Sequence, residues 1–254
     1  MQQFFTEPSL IRDGKIYIEG TDLGHMKNVL RMKPGEKVRV SDGTGKNYLC
    51  SIAGYEGSRA ELQIEEMLEG NAELPSRIVL FQGLPKGDKM ELIVQKAVEL
   101  GACSIVPFAA KRSVAKLDEK KAAKKQTRWQ TIAKSAAEQS GRGIIPEVKG
   151  LLSFGEALES AQKLDIVLVP YELEEETDRT AEVISRILPG QSVGIFIGPE
   201  GGFEKEEVER AVEAGAVPIT LGKRILRTET AGMTALSILM YHLEIGSHNL
   251  IVKE

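Results

Sequence analysis

Residues 192–203 read Ser192-Val193-Gly194-Ile195-Phe196-Ile197-Gly198-Pro199-Glu200-Gly201-Gly202-Phe203, six residues with the texture of a buried strand and then a glycine-bearing turn. A second such turn lies in Leu221-Gly222-Lys223-Arg224-Ile225-Leu226-Arg227-Thr228-Glu229-Thr230-Ala231, after a short apolar run. In an open α/β sheet small molecules bind beyond the carboxyl ends of the strands, and both turns fall there if 217–221 is a strand. Glycine lets the backbone come close to a ligand and offer its N–H and C=O groups. Either turn alone also reads as an ordinary strand-to-helix connection, since Glu204-Lys205-Glu206-Glu207 suits the first turns of a helix. The pair is the more specific signal. Gly83-Leu84-Pro85-Lys86-Gly87-Asp88-Lys89 lacks Walker spacing and its Ser/Thr, and no G-x-G-x-x-G opens a helix, which argues against a P-loop or dinucleotide fold.

Outward from these turns, the chain beyond residue 77 alternates apolar runs with amphipathic stretches. Strands are expected at 78–82, 104–108, 166–169, 193–197 and 217–221. Helices are expected at 90–100, in a long basic region ending at 140, and at 177–188, 205–214 and 230–243. Continuous apolar strands between amphipathic helices indicate a mostly parallel sheet covered on both faces. The last helix is apolar nearly all round, so it is buried in the core or against a second subunit. The first 70 residues differ: short alternations at 15–19, 37–41, 48–52 and 59–64 lie between turn signals such as Asp13-Gly14 and Asp42-Gly43-Thr44-Gly45. This is the pattern of a small β-barrel, interrupted by one short helix at 22–30. A polar connector at 68–76, with Gly70 and Pro75, marks a domain boundary.

The 254 residues fit one large globular domain or two smaller ones. The longest apolar stretch, 231–243, is too short to span a bilayer, and the N-terminus lacks a basic-then-apolar leader, so a cytoplasmic protein is expected. Cys50 and Cys103 fit buried thiols, and His25, His242 and His248 have no acidic cluster at ligand spacing, so no metal is expected. The net charge is -4, yet 111–142 holds ten basic residues against three acidic ones, a local +7. Such a stripe is either a solvated helix face or a surface that tracks phosphates.

The two turns, with Ile225-Leu226-Arg227-Thr228-Glu229-Thr230-Ala231, resemble the cofactor-binding signature of the SPOUT methyltransferases. More narrowly, the chain is similar to the bacterial 16S ribosomal RNA uridine-N3 methyltransferase family. That likeness also runs through His25 with Val29-Leu30-Arg31, Asp42-Gly43-Thr44-Gly45, the 83–89 stretch, Glu99-Leu100-Gly101, Arg112-Ser113 and Ala137-Glu138-Gln139-Ser140-Gly141-Arg142. The resemblance implies an α/β fold: a SPOUT-type parallel sheet with a C-terminal trefoil knot over 73–254, preceded by a PUA-like RNA-binding β-barrel over 1–72. It further implies S-adenosylmethionine as cofactor, 16S rRNA of the small ribosomal subunit as substrate, and a homodimer. Members often carry an arginine where Gln3 precedes Phe4-Phe5 here.

By the same resemblance the backbone of Gly198, Gly201, Leu221, Gly222, Ile225 and Leu226 cradles the cofactor, with Pro199, Glu200 and Arg227 in the turns and Pro170 and Glu172 at the neighbouring strand end. His25, Arg31, Lys86, Arg112 and Arg142 are the implied RNA contacts. A sulfonium methyl is already activated, so the protein has chiefly to align cofactor and nucleophile. Uracil N3 is a poor nucleophile until its proton leaves. Arg112, Arg142 or Arg227 would stabilise the resulting imidate, or Glu138 or Glu229 would accept the proton, and the sequence leaves both routes open. His25 lies in the expected barrel, which favours a structural or RNA-contacting role. Because N3 is on the Watson–Crick edge, the uridine must be unpaired or extruded. Trp129 either stacks on a base or packs in the core. Competing readings are a non-catalytic assembly factor on the same fold, a SPOUT enzyme with another RNA target, and a sugar- or nucleotide-handling enzyme, which would need an anion where Glu200 stands.

Overall fold

The computed structural model describes residues 1–70, 72–114, 117–171 and 177–246. The chain divides into two units, one made of Met1–Glu73 with Ala137–Ile145, the other of Leu74–Ala136 with Pro146–Glu254.

The first unit begins with β1 (Gln3–Phe5), β2 (Ile11–Arg12) and β3 (Lys15–Glu19), then α1 (Gly20–Gly24), β4 (Lys37–Ser41), β5 (Asn47–Glu56) and β6 (Arg59–Leu68). They form one sheet in the order β1-β4-β5-β6-β3-β2, parallel only between β1 and β4. Asp13 and Gly14, both at positive φ, close the two-residue hairpin between β2 and β3. The Thr6 hydroxyl, one residue beyond β1, donates to the Tyr17 carbonyl of β3 at 2.9 Å, bringing the first edge round toward the far end of the sheet. Alternate residues of five strands therefore face one core of Phe4, Ile16, Ile18, Val38, Val40, Cys50, Ile52, Ala60 and Leu62, with Met26. The helix expected at 22–30 is α1 followed by a wider turn over His25–Val29, in which the Leu30 N–H reaches back five residues to the His25 carbonyl at 2.9 Å.

Residues 137–145 complete this unit through polar bonds. Gln3 Nε2 donates to the Arg142 carbonyl and Ser41 Oγ to the Gly143 carbonyl, each at 2.6 Å. The Glu73 carboxylate accepts from the Gly143 N–H at 3.0 Å and pairs with the Arg142 guanidinium. The Asp42 carboxylate accepts from Thr44 N and Oγ1, folding 42–46 so that Gly45 meets Gly143. Gln3 is thus buried and structural.

The second unit contains β7 (Arg77–Gly83), α2 (Lys89–Glu99), β8 (Ser104–Ala109), most of α3 (Glu119–Ser140), β9 (Glu147–Val148), β10 (Leu152–Ser153) and α4 (Phe154–Ala161). It continues with β11 (Ile166–Pro170), α5 (Thr177–Ser185), β12 (Ser192–Ile197), α6 (Lys205–Glu213), β13 (Val217–Ile219) and α7 (Thr228–Tyr241). Its sheet is wholly parallel, in the order β10-β8-β7-β12-β11-β13, with β9 also beside β8. Both faces are covered. Val79, Phe81, Val106, Phe108, Val167, Val169 and Phe196 point to one side, where α4 and α6 add Phe154, Leu158, Val208 and Ala211. Phe81 and Phe196 stack there at 4.4 Å. On the other side α7 comes close enough that a methyl group at Gly232 would stand 3.8 Å from Ile197 and 3.9 Å from Leu80. No helix among the described residues is long and apolar enough to cross a membrane.

Candidate active site

β7 and β12 run side by side and end together at Gly83 and Ile197, so the chain leaving β12 crosses directly over β7. A methyl group at Gly83 would lie 2.7 Å from Pro199 Cδ and N, and one at Gly198 would lie 3.1 Å from the Gly202 carbonyl carbon. Only glycine admits this packing, which folds 198–203 into a tight return. Phe203 anchors the return by packing at 6.2 Å on Phe108 and 6.0 Å on Phe154. Gly222, at φ 98, turns the chain after β13.

Between the two turns lies a cavity of about 390 Å³, within the range of small-molecule sites. Its walls bring together Pro170, Gly198, Pro199, Glu200, Leu221, Gly222, Ile225, Leu226 and Arg227. Gly201 stands behind the wall, where a methyl group would touch Arg112 Cβ at 3.0 Å, and Glu172 lies outside the described residues. Lys89, Tyr171, Arg224 and Thr228 also line the cavity, and sequence reasoning did not select them. Nothing local distinguishes them. Lys89 stands in the 83–89 stretch and Arg224 and Thr228 in 221–231, but the partners of Lys89 and Thr228 are more than 25 residues away.

A buried hydrogen-bond chain holds the turns. Gln82 at the end of β7 donates from Nε2 to Thr228 Oγ1 at 2.9 Å, and Thr228 Oγ1 donates to the Gly198 carbonyl at 2.6 Å. Charge holds the rim. The Lys89 ammonium sits 3.0 Å from Glu200 and 3.4 Å from Glu229, and Glu200 also accepts the Lys86 N–H at 3.1 Å. Burial pushes the Glu200 carboxyl up, but backbone N–H donors and Lys89 outweigh it and hold the group below its ordinary value. The hydrogen bond to Glu200 holds Lys89 above its ordinary value.

Arg112 does not line the cavity. It braces the first turn, donating to the Gly201 carbonyl at 2.9 Å and to Glu204 at 3.0 Å, which lowers the Glu204 carboxyl. Glu207, buried at the start of α6, accepts the Lys111 N–H at 2.8 Å and the Glu204 N–H at 2.9 Å. The N-terminus of α6 is therefore filled by the chain's own carboxylate, which removes the phosphate cradle that a nucleotide-handling enzyme would need there.

Of the arginine and glutamate candidates, Arg227 and Glu229 belong to the cavity region, whereas Glu138 and Arg142 belong to the first unit. Arg142 is reassigned. It is 2% exposed, with its guanidinium engaged by Glu73, so it presents no free surface to the cavity or to solvent. His25 and Arg31 are exposed at the ends of the wide turn of the first unit, and Lys86 is exposed in the loop after β7. Trp129 is 2% exposed and packs in the core.

Parallel strands capped by two glycine turns, with a separate six-stranded unit before them, are the plan of RNA methyltransferases that carry a PUA domain. The RNA methyltransferase domain family matches residues 72–240 and the RNA methyltransferase PUA domain family matches 18–65. A relative from Bacillus subtilis (strain 168), ribosomal RNA small subunit methyltransferase E, is 40% identical over 251 residues, which is 96% of this chain and 98% of its own. The ribosomal RNA small subunit methyltransferase E of Neisseria gonorrhoeae, solved bound to S-adenosyl methionine, superposes with a TM-score of 0.82 at 34% identity, covering 96% of this chain and 98% of that one. A Legionella pneumophila protein in complex with the cofactor SAM gives a TM-score of 0.82 at 34% identity, over 93% and 96% of the two chains. The chain belongs to the ribosomal RNA small subunit methyltransferase E family, and is an rRNA methyltransferase.

Proposed function

We propose that this enzyme transfers the methyl group of S-adenosylmethionine to N3 of a uridine in the 16S rRNA of the small ribosomal subunit. The observation that carries the reading is the cavity enclosed by the two glycine turns. Its chemistry fits the cofactor. Ile197, Leu221, Leu226 and Ile225, the last 84% exposed, offer apolar cover for an adenosine, and the Glu200 and Glu229 carboxylates suit a cation. Glu229 Oε2 is buried, with the Lys89 ammonium 3.4 Å away. The close backbone packing at Gly83 and Gly198 leaves main-chain groups to line the wall.

When bound, S-adenosylmethionine supplies a methyl group activated on a sulfonium. The N3 proton falls to Glu229, the carboxylate that pairs with Lys89 beside the cavity. Arg227, exposed at the uncapped N-terminus of α7, together with the positive end of that helix, favours the negative charge left on the uracil. Arg112 positions the first turn through the Gly201 carbonyl. RNA phosphates fall to His25 and Arg31 of the first unit, and to Lys86 and the exposed Lys120, Lys121 and Lys124 in the second.

The same reading gives a homodimer, a knot and a cytoplasmic site of action. An apolar groove of about 790 Å³ between α5 and α7, with Met233, Ile238 and Tyr241 in its wall, supports the dimer. The knot is supported by α7, which packs under β7 and β12 although β13, its predecessor, stands at the sheet edge.

Small ribosomal subunits incubated with the protein and radiolabelled S-adenosylmethionine should yield labelled 3-methyluridine after digestion. Label in another nucleoside would overturn the target assignment, and no label would overturn the activity. Arg227→Ala should depress kcat far more than cofactor affinity, while equal losses would make Arg227 a cofactor ligand instead.

A further inference from the structure

Lys89 is the first residue of α2, where the positive end of the helix dipole opposes a cation. A lysine there breaks a local rule of helix design, which points to a purpose beyond folding. Its ammonium is held between carboxylates from both turns, Glu200 at 3.0 Å and Glu229 at 3.4 Å, in the wall of the cavity. The charged side chains that line the cavity are Lys89, Glu200, Arg224 and Arg227, and Glu229 joins them through its pairing with Lys89.

We infer that Lys89 sets the charge of the cofactor cavity: by neutralising Glu200 and Glu229 it keeps the site from over-holding the sulfonium of S-adenosylmethionine relative to the neutral thioether of S-adenosylhomocysteine. The inference rests on the cofactor reading above. Methyl transfer to an imidate cancels a positive charge on sulfur against a negative one on nitrogen. Without Lys89, the Glu200 and Glu229 carboxylates would stabilise the sulfonium before reaction and oppose the uracil anion, and both effects slow the step. Lys89 is thus a positioning residue that also tunes the field. It ties the loops after β7, β12 and β13 together at one point.

The test compares calorimetric affinities for the two ligands, because the carboxylate, amino group and adenosine they share cancel in the ratio and only the sulfonium with its methyl group remains. Lys89→Met should raise the preference for S-adenosylmethionine over S-adenosylhomocysteine by about three- to tenfold, the effect of a partly screened unit charge across one cavity. Lys89→Arg should stay within about twofold of the wild type. Glu200→Gln should move the ratio the other way, which keeps the inference open to refutation if Lys89→Met fails to fold. A folded Lys89→Met protein with an unchanged ratio, or a Glu200→Gln shift in the same direction as Lys89→Met, overturns the inference alone. Absence of binding by the wild type overturns the cofactor reading and this inference with it.

Discussion

Thr228→Val replaces a hydroxyl by a methyl group of nearly the same shape at the junction of β7, the first turn and α7. Thr228 is 5% exposed and its Oγ1 makes two bonds, donating to the Gly198 carbonyl at 2.6 Å and accepting from Gln82 Nε2 at 2.9 Å. Each bond contributes about 1 kcal/mol, and a half-buried carbonyl left without its donor adds up to about 2 kcal/mol more. Gln82 Nε2 keeps its second bond, to the Gly83 carbonyl at 3.0 Å, so the deficit falls mainly on Gly198. The sum is about 2–4 kcal/mol, or a fall in Tm of roughly 5–15 °C. Release of Gly198 also loosens the cavity wall, and the Kd for S-adenosylmethionine should rise about tenfold or more. Thr228→Ser keeps the hydroxyl and should lose only about 1 kcal/mol, with affinity near that of the wild type. Thermal melts and calorimetry measure both quantities. A valine variant that loses less than about 0.5 kcal/mol and binds the cofactor normally would refute the argument that this hydrogen-bond chain holds the site.

Three further outcomes follow from the geometry. Glu73→Gln removes the carboxylate that pairs with the buried Arg142 guanidinium and should be destabilising in urea unfolding, a loss that Arg142→Met in the same chain partly restores. Gly83→Ala forces Pro199 away from 2.7 Å and should destabilise by about 1–3 kcal/mol and weaken cofactor binding, whereas Gly24→Ala, a helical site with nothing within 4 Å, should be neutral or slightly stabilising in the same melts. The Lys89–Glu200 pair has a defined pH window. Glu200 is held below its ordinary value of 4.5, so its contribution is full above that pH and is lost as pH falls through the folded value. Lys89 is held above 10.5, so its contribution is full below that pH and is lost as pH rises through the folded value. The Tm difference between wild type and Lys89→Met should therefore be flat from about pH 5 to about pH 10 and shrink outside that window.

The parallel sheet was legible because its strands are unbroken apolar runs, such as 193–197, and burial on both faces requires that pattern. The turns were legible because glycine at 198, 201, 202 and 222 marks backbone geometry that other residues resist. β5 and β6 run past the expected 52 and 64 because register shifts at Leu49/Cys50 and Ile52/Gly54 break the alternation that a strand reading follows. β1 was missed since three residues carry no period, and its parallel pairing with β4 has no local signal. α4 had a readable start: Ser153 and Glu156 form a capping box, although no helix was expected at 154–161. Lys89 with Glu200, Glu73 with Arg142, and Glu207 with Lys111 are pairs at least 69 residues apart. Only the folded chain brings such partners together, so the basic and acidic residues of a motif could be named while their jobs could not.

The return of Ala137–Ile145 to the first unit has a consequence for how the protein is made. Glu73 leaves the ribosome long before Arg142, its partner, exists. At about 5–20 residues per second, the interval between residues 73 and 145 is roughly 4–14 s. Throughout it the nascent first unit lacks the guanidinium that Glu73 later binds, and Gln3 and Ser41 lack the carbonyls they later bind. Its completion is timed by translation of the second unit's early strands. A fragment ending at residue 73 should therefore be less stable than the same fragment supplied with a 137–145 peptide, and the two units cannot be exchanged between relatives by a single cut in the gene.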